Sequence, residues 1–287
     1  MVAACIVIIM ICKLGTKTLY SKILLIDWVA ILICASIFAC AGNGLTTLSP
    51  NTNKNNTFKI AEWNALDNLN SEAAKKIFIE YDVDIAVFPE LGGYEKGDSS
   101  TEKIKDIFDV VGIDCNRYDV FTSLPTEGNI APVTVVVKKS FASYTNNQKT
   151  PMTFYGTVYL ESTSENLPDI IGLHTAPPLP GLMYIWQYDL DTIYKEIIAK
   201  NPGAIIVGDF NANLKHGAMS RIDTHDDALN YLSVFNRGTW PTNFPVPLRS
   251  SIDHIFLPQN KYGVKRIETF DLSASDHAIV LAEIYIV

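Results

Sequence analysis

Four strand-like runs in this chain, Lys59 to Trp63, Ile85 to Pro89, Ile170 to Leu173 and Ile205 to Gly208, each give way to a polar side chain: Asn64, Glu90, His174 and Asp209, with Asn211 two residues further on. Runs of this length read as strands, and the stretches between several of them carry apolar residues at helical spacing. Ala74, Ile77, Phe78 and Tyr81 form one such pattern, opened by Asn70 or Ser71 as the cap. Ile104, Ile107, Phe108 and Val111 form a second, stopped at Gly112 by a residue type suited to a left-handed cap. Trp186, Leu190, Ile193, Tyr194 and Ile197 form the third, ended by Asn201-Pro202-Gly203. Further strands are expected at 132–138, 152–160, 252–257, 264–270 and 278–287. Local hairpins mixed with strand-helix-strand units favour two packed mixed β-sheets flanked by helices, a four-layer α/β (α+β) sandwich, over one doubly wound parallel sheet.

The first 42 residues have a different character. Residues 1–12 contain no charged side chain and 23–41 contain only Asp27, so 1–42 reads as a hydrophobic leader. Nineteen residues at about 1.5 Å each cover about 28 Å as a helix, close to the hydrocarbon thickness of a bilayer, so 23–41 is a transmembrane candidate. Lys13, Lys17 and Lys22 precede it, and the positive-inside rule keeps that side in the cytoplasm and the rest of the chain outside. The expected location is therefore the cell membrane, single- or double-pass depending on 1–12. A cleaved signal peptide, a lipid-modified Cys40 and a buried soluble helix are the competing readings, and the first two also export the remainder of the chain. Residues 43–57, rich in Asn, Thr and Ser, read as a flexible linker, and 58–287 as one domain. Four of the five cysteines lie in the leader, so Cys115 has no disulfide partner within the domain.

Of 23 Lys and Arg and 31 Asp and Glu, three and one fall in the leader, leaving 20 basic and 30 acidic residues beyond it. Binding nucleic acid by charge alone requires clustered cations. The five arginines, at 117, 221, 237, 249 and 266, are scattered, and an anionic substrate would need a metal to offset the repulsion. Strand ends of one polarity open on a common rim, so Asn64, Glu90, His174, Asp209 and Asn211 can converge. Asp253-His254 and Ser275-Asp276-His277 add acidic sites on late strands. Carboxylates and amides without cysteine describe a site for a hard, oxygen-liganded cation, Mg²⁺ or Mn²⁺, rather than structural zinc. His216 and His225 lie in a polar stretch with no apolar frame and are expected on the surface.

Trp63-Asn64, Pro89-Glu90, Leu173-His174-Thr175-Ala176-Pro177, Gly208-Asp209-Phe210-Asn211-Ala212, Ile252-Asp253-His254-Ile255 and Ser275-Asp276-His277 together resemble the motifs of the endonuclease/exonuclease/phosphatase superfamily, in that family's order. Gly238-Thr239-Trp240-Pro241 and the apolar leader resemble its bacterial membrane-anchored branch. The resemblance implies a metal-dependent hydrolase of phosphoric esters. Glu90 would be the main metal carboxylate, with Asn64 and Asp276 completing the shell. Asp209 and Asn211 would orient the attacking water and a phosphoryl oxygen. His277, held by Asp253, would act as general base or as a donor to phosphate, and His174 would stabilise phosphate or protonate the leaving oxygen. The substrate would be a phosphate ester of a lipid, a sugar or a nucleic acid, and no protein partner is implied.

The sequence departs from the deoxyribonuclease branch after Glu90, where Leu91-Gly92-Gly93-Tyr94 replaces an Arg that enters DNA. An acidic partner for His174 is not evident, with Glu127 as the candidate. Met183, Tyr184 and Trp186 after the His174 loop could wall an apolar leaving group or simply pack a helix. A nuclease of the same fold and a catalytically inactive tethered binding module are the alternatives to a phosphoesterase.

Overall fold

The fold is built from two strand-helix-strand units placed in two different sheets. In the first, β1 (Thr57–Glu62) passes through α1 (Ser71–Ala74), which continues as a π-helical turn over Lys75–Glu80, into the parallel strand β2 (Ile85–Phe88). In the second, β7 (Ile170–His174) passes through α3 (Met183–Thr192), continued by a π-helical turn over Ile193–Ile198, into the parallel strand β8 (Ile205–Asp209). The computed structural model of the chain describes residues 27–30, 48–53, 55–95, 98–124, 130–147 and 151–287. Among these, α2 (Thr101–Val111), β3 (Tyr118–Thr122), β4 (Thr134–Lys138), β5 (Tyr144–Asn146), β6 (Thr157–Ser162), β9 (His225–Asp227), β10 (Asp253–Pro258), β11 (Tyr262–Asp271) and β12 (Ala278–Ile286) complete the strands and longer helices.

The strands form two six-stranded sheets, ordered β11-β12-β1-β2-β4-β3 and β5-β6-β7-β8-β10-β9. Each parallel pair has antiparallel neighbours, and this mixture decides where the site lies. The carboxyl ends of β1, β2, β7 and β8 point to one rim. The antiparallel strands β12 and β10, beside β1 and β8, begin at that rim. Residues after the early strands and at the start of the late ones are thereby brought together.

Alternation along β1 divides the core. Phe58 and Ile60 join Ile85, Val87, Val135, Leu160, Ile170, Val207 and Ile255 between the sheets. Ala61 and Trp63 face the other way, against Ile77 and Phe78 of the α1 segment and Ile104 and Phe108 of α2. On the outer face of the second sheet, Ile171, Leu173 and Ile206 pack on Trp186, Leu190, Ile193 and Ile197 of the α3 segment. The result is helix, sheet, sheet, helix, as the pattern of runs predicts. Asn70 caps α1 by accepting from the Ala73 N–H at 2.9 Å, and Gly112 ends α2 in the left-handed region at φ 76°.

Three short strands, β3, β5 and β9, were not expected. Each lies at or next to a sheet edge and has little apolar alternation of its own. β9 corrects the reading of His225, which is buried rather than on the surface: its Nε2 faces the Ala204 carbonyl at 3.1 Å. His216 is exposed, as expected. Part of the proposed linker lies against the domain, since Leu48 N donates to the Asn230 carbonyl at 2.7 Å and Asn51 N to that of Val264 at 3.1 Å. No helix among the described residues is long and apolar enough to cross a membrane. The 23–41 segment lies outside the described residues except for 27–30.

Candidate active site

Asp209 ends the central strand β8, and the sheet register sets His174 of β7 directly beside it on one side and Asp253 of β10 on the other. Side chains in such a row share a face, here the face turned toward the first sheet. The approach of the backbones is close at the preceding residue. Gly208 has φ +152°, and a Cβ there would lie 1.9 Å from the Leu173 carbonyl oxygen, so only glycine fits before Asp209.

The first sheet supplies the rest. Asn64, just beyond β1, donates from Nδ2 to Glu90 Oε1 at 3.0 Å and to Asp209 Oδ2 at 3.1 Å, joining the two sheets across the site. His277, just before β12, places Nδ1 at 2.9 Å from Asp253 Oδ1 and Nε2 at 3.9 Å from both Asp209 Oδ2 and Asp276 Oδ1. His174 Nε2 lies 3.5 Å from Asp209 Oδ2, 3.8 Å from Glu90 Oε1 and 3.4 Å from Asn211 Nδ2. All eight residues singled out in the sequence therefore belong to one connected cluster.

Backbone devices hold this geometry. Glu90 and Asn211 occupy left-handed conformations at φ 54° and 47°, an uncommon state for side chains with a Cβ and one that concentrates at functional sites. Asn211 is fixed by its N–H to Asp209 Oδ1 at 2.8 Å and its amide to the Thr175 carbonyl at 3.0 Å. Trp63 donates its indole N–H to the His277 carbonyl at 3.0 Å, and the Ser275 hydroxyl donates to the Asn64 carbonyl at 2.7 Å. The Thr239 hydroxyl accepts from the Ile252 N–H at 3.2 Å, while its carbonyl accepts from Ala278 N–H at 2.9 Å, tying the Asp253 strand to the His277 strand.

Burial and charge then set the protonation states. Burial, followed by the neighbouring Asp253 carboxylate, pushes Asp209 up to about 7, opposed by His277 and by hydrogen bonds from Asn211 and Asn64. Burial also raises Glu90. For His277 burial favours the neutral ring, but Asp253, Asp209 and Asp276 outweigh it and raise the imidazole to about 9. His174 has no such support: burial, with the His277 charge adding, lowers it to about 3 and keeps it neutral. Among the described residues its Nδ1 has no hydrogen-bond partner, and the proposed partner Glu127 lies outside the described residues.

Desolvated carboxylates whose proton affinity is raised and which share one amide donor are a suitable host for a hard divalent cation. Ligand atoms of Asp209, Asp253 and His277 come within 4.8 Å of one another, and Glu90 adds a further carboxylate beside Asp209. Asn64 faces this group with its amide NH₂, its Oδ1 being taken by the Leu66 N–H at 3.1 Å, so it orients the carboxylates rather than offering an oxygen to a cation. Asp276 is the outermost of the expected ligands. Its side chain is half exposed and accepts from the Trp240 indole at 2.8 Å.

Glu62 was not singled out in the sequence. It shares the inward parity of Phe58 and Ile60, is fully buried, and among the described residues neither carboxylate oxygen has a hydrogen-bond partner. Burial first, then Asp253 and Asp209, raises its pKa well above 4.5, so the folded protein keeps a proton that the unfolded chain releases. Folding then becomes less favourable as pH climbs above 4.5 toward the raised value. Glu62→Gln removes this penalty. With a chelator present, its melting temperature relative to wild type is expected to rise steadily from pH 4 to pH 8, as read by circular dichroism. A pH-independent difference would contradict a protonated Glu62.

His254 is also explained. It sits on the outer face of β10, with Nδ1 at 2.8 Å from Asp227 Oδ2 and Nε2 at 2.9 Å from the Ala212 carbonyl. It braces the Asp209 to Ala212 loop from behind and lies outside the candidate cluster.

A family model described as the Endonuclease/Exonuclease/phosphatase family matches residues 51–277. The chain belongs to that family. Solved structures with the endonuclease/exonuclease/phosphatase fold agree with the sandwich. D. rerio TDP2 complexed with a single-strand DNA product is 17% identical with TM-score 0.59, covering 80% of this chain and 100% of its own. The human nocturnin catalytic domain is 14% identical with TM-score 0.55, covering 83% and 96%. A family protein from Bacteroides vulgatus is 15% identical with TM-score 0.55, covering 81% and 100%. At these identities the likeness speaks for the fold alone. No curated protein sequence matches the chain.

Proposed function

We propose that this protein is a divalent-metal-dependent phosphoesterase that hydrolyses a phosphomonoester or phosphodiester by in-line attack of water on phosphorus. The observation that carries the reading is the joining of Asn64, Glu90, His174, Asp209, Asp253 and His277, drawn from both sheets, in one buried network. A Mg²⁺ or Mn²⁺ ion held by Glu90 and Asp276, with the Asn64 amide N–H orienting the Glu90 carboxylate, would neutralise phosphate charge and favour the pentacoordinate transition state.

The protein's own groups divide the remaining work. Asp209, poised near 7, takes the proton of the attacking water, and Asn211 orients that water or a phosphoryl oxygen. His277, protonated through the neutral range, donates to phosphate from Nε2 rather than acting as base, with Asp253 fixing its ring. His174, neutral, fits the role of a hydrogen-bonding group toward phosphate and not that of an acid for the leaving oxygen.

The rim favours an ester with an apolar organic group, such as a lipid, over nucleic acid. Exposed Leu179, Met183 and Tyr184 follow His174, and exposed Trp240, Phe244 and Leu248 precede Asp253. Arg237 and Arg249 are used internally, Arg237 on Asn230 and Leu232 and Arg249 on Asp271, while the exposed Arg221 and Arg266 pair with Asp191 and Glu268. The leader supports a cell-membrane location with this domain on the non-cytoplasmic side, the chain being held by 23–41.

The test is a panel of bis(p-nitrophenyl) phosphate, p-nitrophenyl phosphate, phosphorylated lipid vesicles and single-stranded DNA. Turnover is expected with Mg²⁺ or Mn²⁺, to disappear with EDTA, and to return when either metal is restored. Chelator-insensitive turnover, or none on any substrate, would overturn the reading. DNA cleaved faster than every other substrate would favour a nuclease.

A further inference from the structure

Two loops flank His174, and both end on one carboxylate of a helix that carries none of the reactive groups. Asp189 lies on the buried face of α3. Its oxygens accept the Phe154 N–H at 3.1 and 3.2 Å and the Ala176 N–H at 2.8 Å. Phe154 and Tyr155 lead into β6, and Ala176 follows β7. Between them the His174 backbone is gripped on both sides: Tyr155 N–H donates to its carbonyl at 3.2 Å, and its own N–H donates to that of Gly156 at 3.0 Å. The Tyr155 ring lies 4.9 Å from the His174 ring.

The need for a carboxylate follows from the donors. Two N–H groups from separate loops converge on the apolar underside of a helix, where unmade hydrogen bonds are costly. A carboxylate has lone pairs for both; an amide offers one oxygen and turns its NH₂ group toward the other donor. Trp186, one turn earlier, donates to the Asn211 carbonyl at 3.1 Å, so the same helix also holds the Asp209 to Asn211 loop.

We infer that Asp189 is a positioning residue for the reaction, clasping the loops on either side of His174 so that its imidazole is presented to Asp209 and Glu90. The inference rests on the phosphoesterase reading and adds a residue acting through His174. A purely structural Asp189 would affect fold and rate regardless of what stands at 174. One that acts through the imidazole loses its effect when the imidazole is removed.

The experiment is a double-mutant cycle on the full chain with bis(p-nitrophenyl) phosphate and Mn²⁺, comparing wild type, Asp189→Asn, His174→Ala and the double variant. Asp189→Asn is expected to lower kcat at least tenfold with KM changed less than threefold, and to lower it less than twofold further in the His174→Ala background. Equal losses in both backgrounds, or kcat within twofold of wild type for Asp189→Asn, would overturn the inference. If Asp189→Asn does not fold, Asp189→Glu keeps the acceptors, shifts them by one methylene and is judged by the same non-additivity. Independently, NMR of the metal-free protein should show the His174 ring signals displaced in the folded Asp189 variant and those of His216 in place; unmoved His174 signals would contradict the role. That arm decides the matter where His174→Ala leaves no measurable rate. Failure of wild type to hydrolyse any substrate would sink the phosphoesterase reading and leave the NMR result to judge Asp189.

Discussion

Asp209→Asn is expected to lower kcat on bis(p-nitrophenyl) phosphate by roughly 10³-fold, within the range of about 10²–10⁴ associated with removing a general base. Asn can still accept the Asn211 N–H that Oδ1 now receives at 2.8 Å, so the loop has a partner and the fold should hold. What disappears is a proton acceptor held near 7 by burial and by Asp253. Substrate KM should change far less than kcat. A variant retaining more than a tenth of wild-type kcat would remove Asp209 from the mechanism.

His277→Gln should cost roughly 10²–10³-fold in kcat/KM, on the scale of losing one preorganised electrostatic contact to developing phosphate charge. Gln is preferable to Ala because it can still donate to Asp253, whereas Ala would leave a buried carboxylate alone at a cost of about 3–5 kcal/mol. The pH profile carries the sharper prediction. Asp209 must be ionised, so activity rises as pH passes its pKa. His277 must be protonated, so activity falls as pH passes about 9. The limbs are macroscopic values of a coupled set, and a bound cation would move the lower limb to lower pH. His277→Gln should abolish the alkaline fall and keep the acid rise. Survival of the alkaline fall would assign it to another group.

The candidate site was legible as a cluster because its residues obey a strand-end grammar. Asn64, Glu90, His174 and Asp209 each interrupt an apolar run where a chain leaves a sheet, and in a packed sandwich that is the only place such side chains meet water and one another. Asp253 and His277 were readable for the complementary reason: they open late strands that run antiparallel beside β8 and β1. Glu62 and Asp189 were missed because each is a charge inside an apolar pattern. Both had a signal in their spacing. Glu62 has the parity of Phe58 and Ile60. Asp189 falls three residues after Trp186 and four before Ile193, on the stripe that packs against the second sheet. A charged residue at such a position has to be satisfied or kept neutral, and the sequence does not say which. The partners are non-local: two loop N–H groups for Asp189, and for Glu62 no hydrogen-bonding group among the described residues.

The short strands were hidden by different physics. β9 is His-Asp-Asp, with no apolar residue, and forms because the far half of β10 offers an open edge at Phe256 to Pro258. Its pairing buries His225 and delivers Asp227 to His254. Local propensity has no access to an edge supplied from thirty residues downstream.

The most direct measurement is anomalous diffraction from crystals of the wild-type chain soaked with Mn²⁺ and inorganic phosphate. A manganese peak is expected within about 2.3 Å of a Glu90 carboxylate oxygen, with phosphate between it and His277 Nε2. Manganese bound away from Glu90 and Asp209, or no bound manganese at a concentration that supports turnover, would contradict a metal-dependent site built by the two sheets.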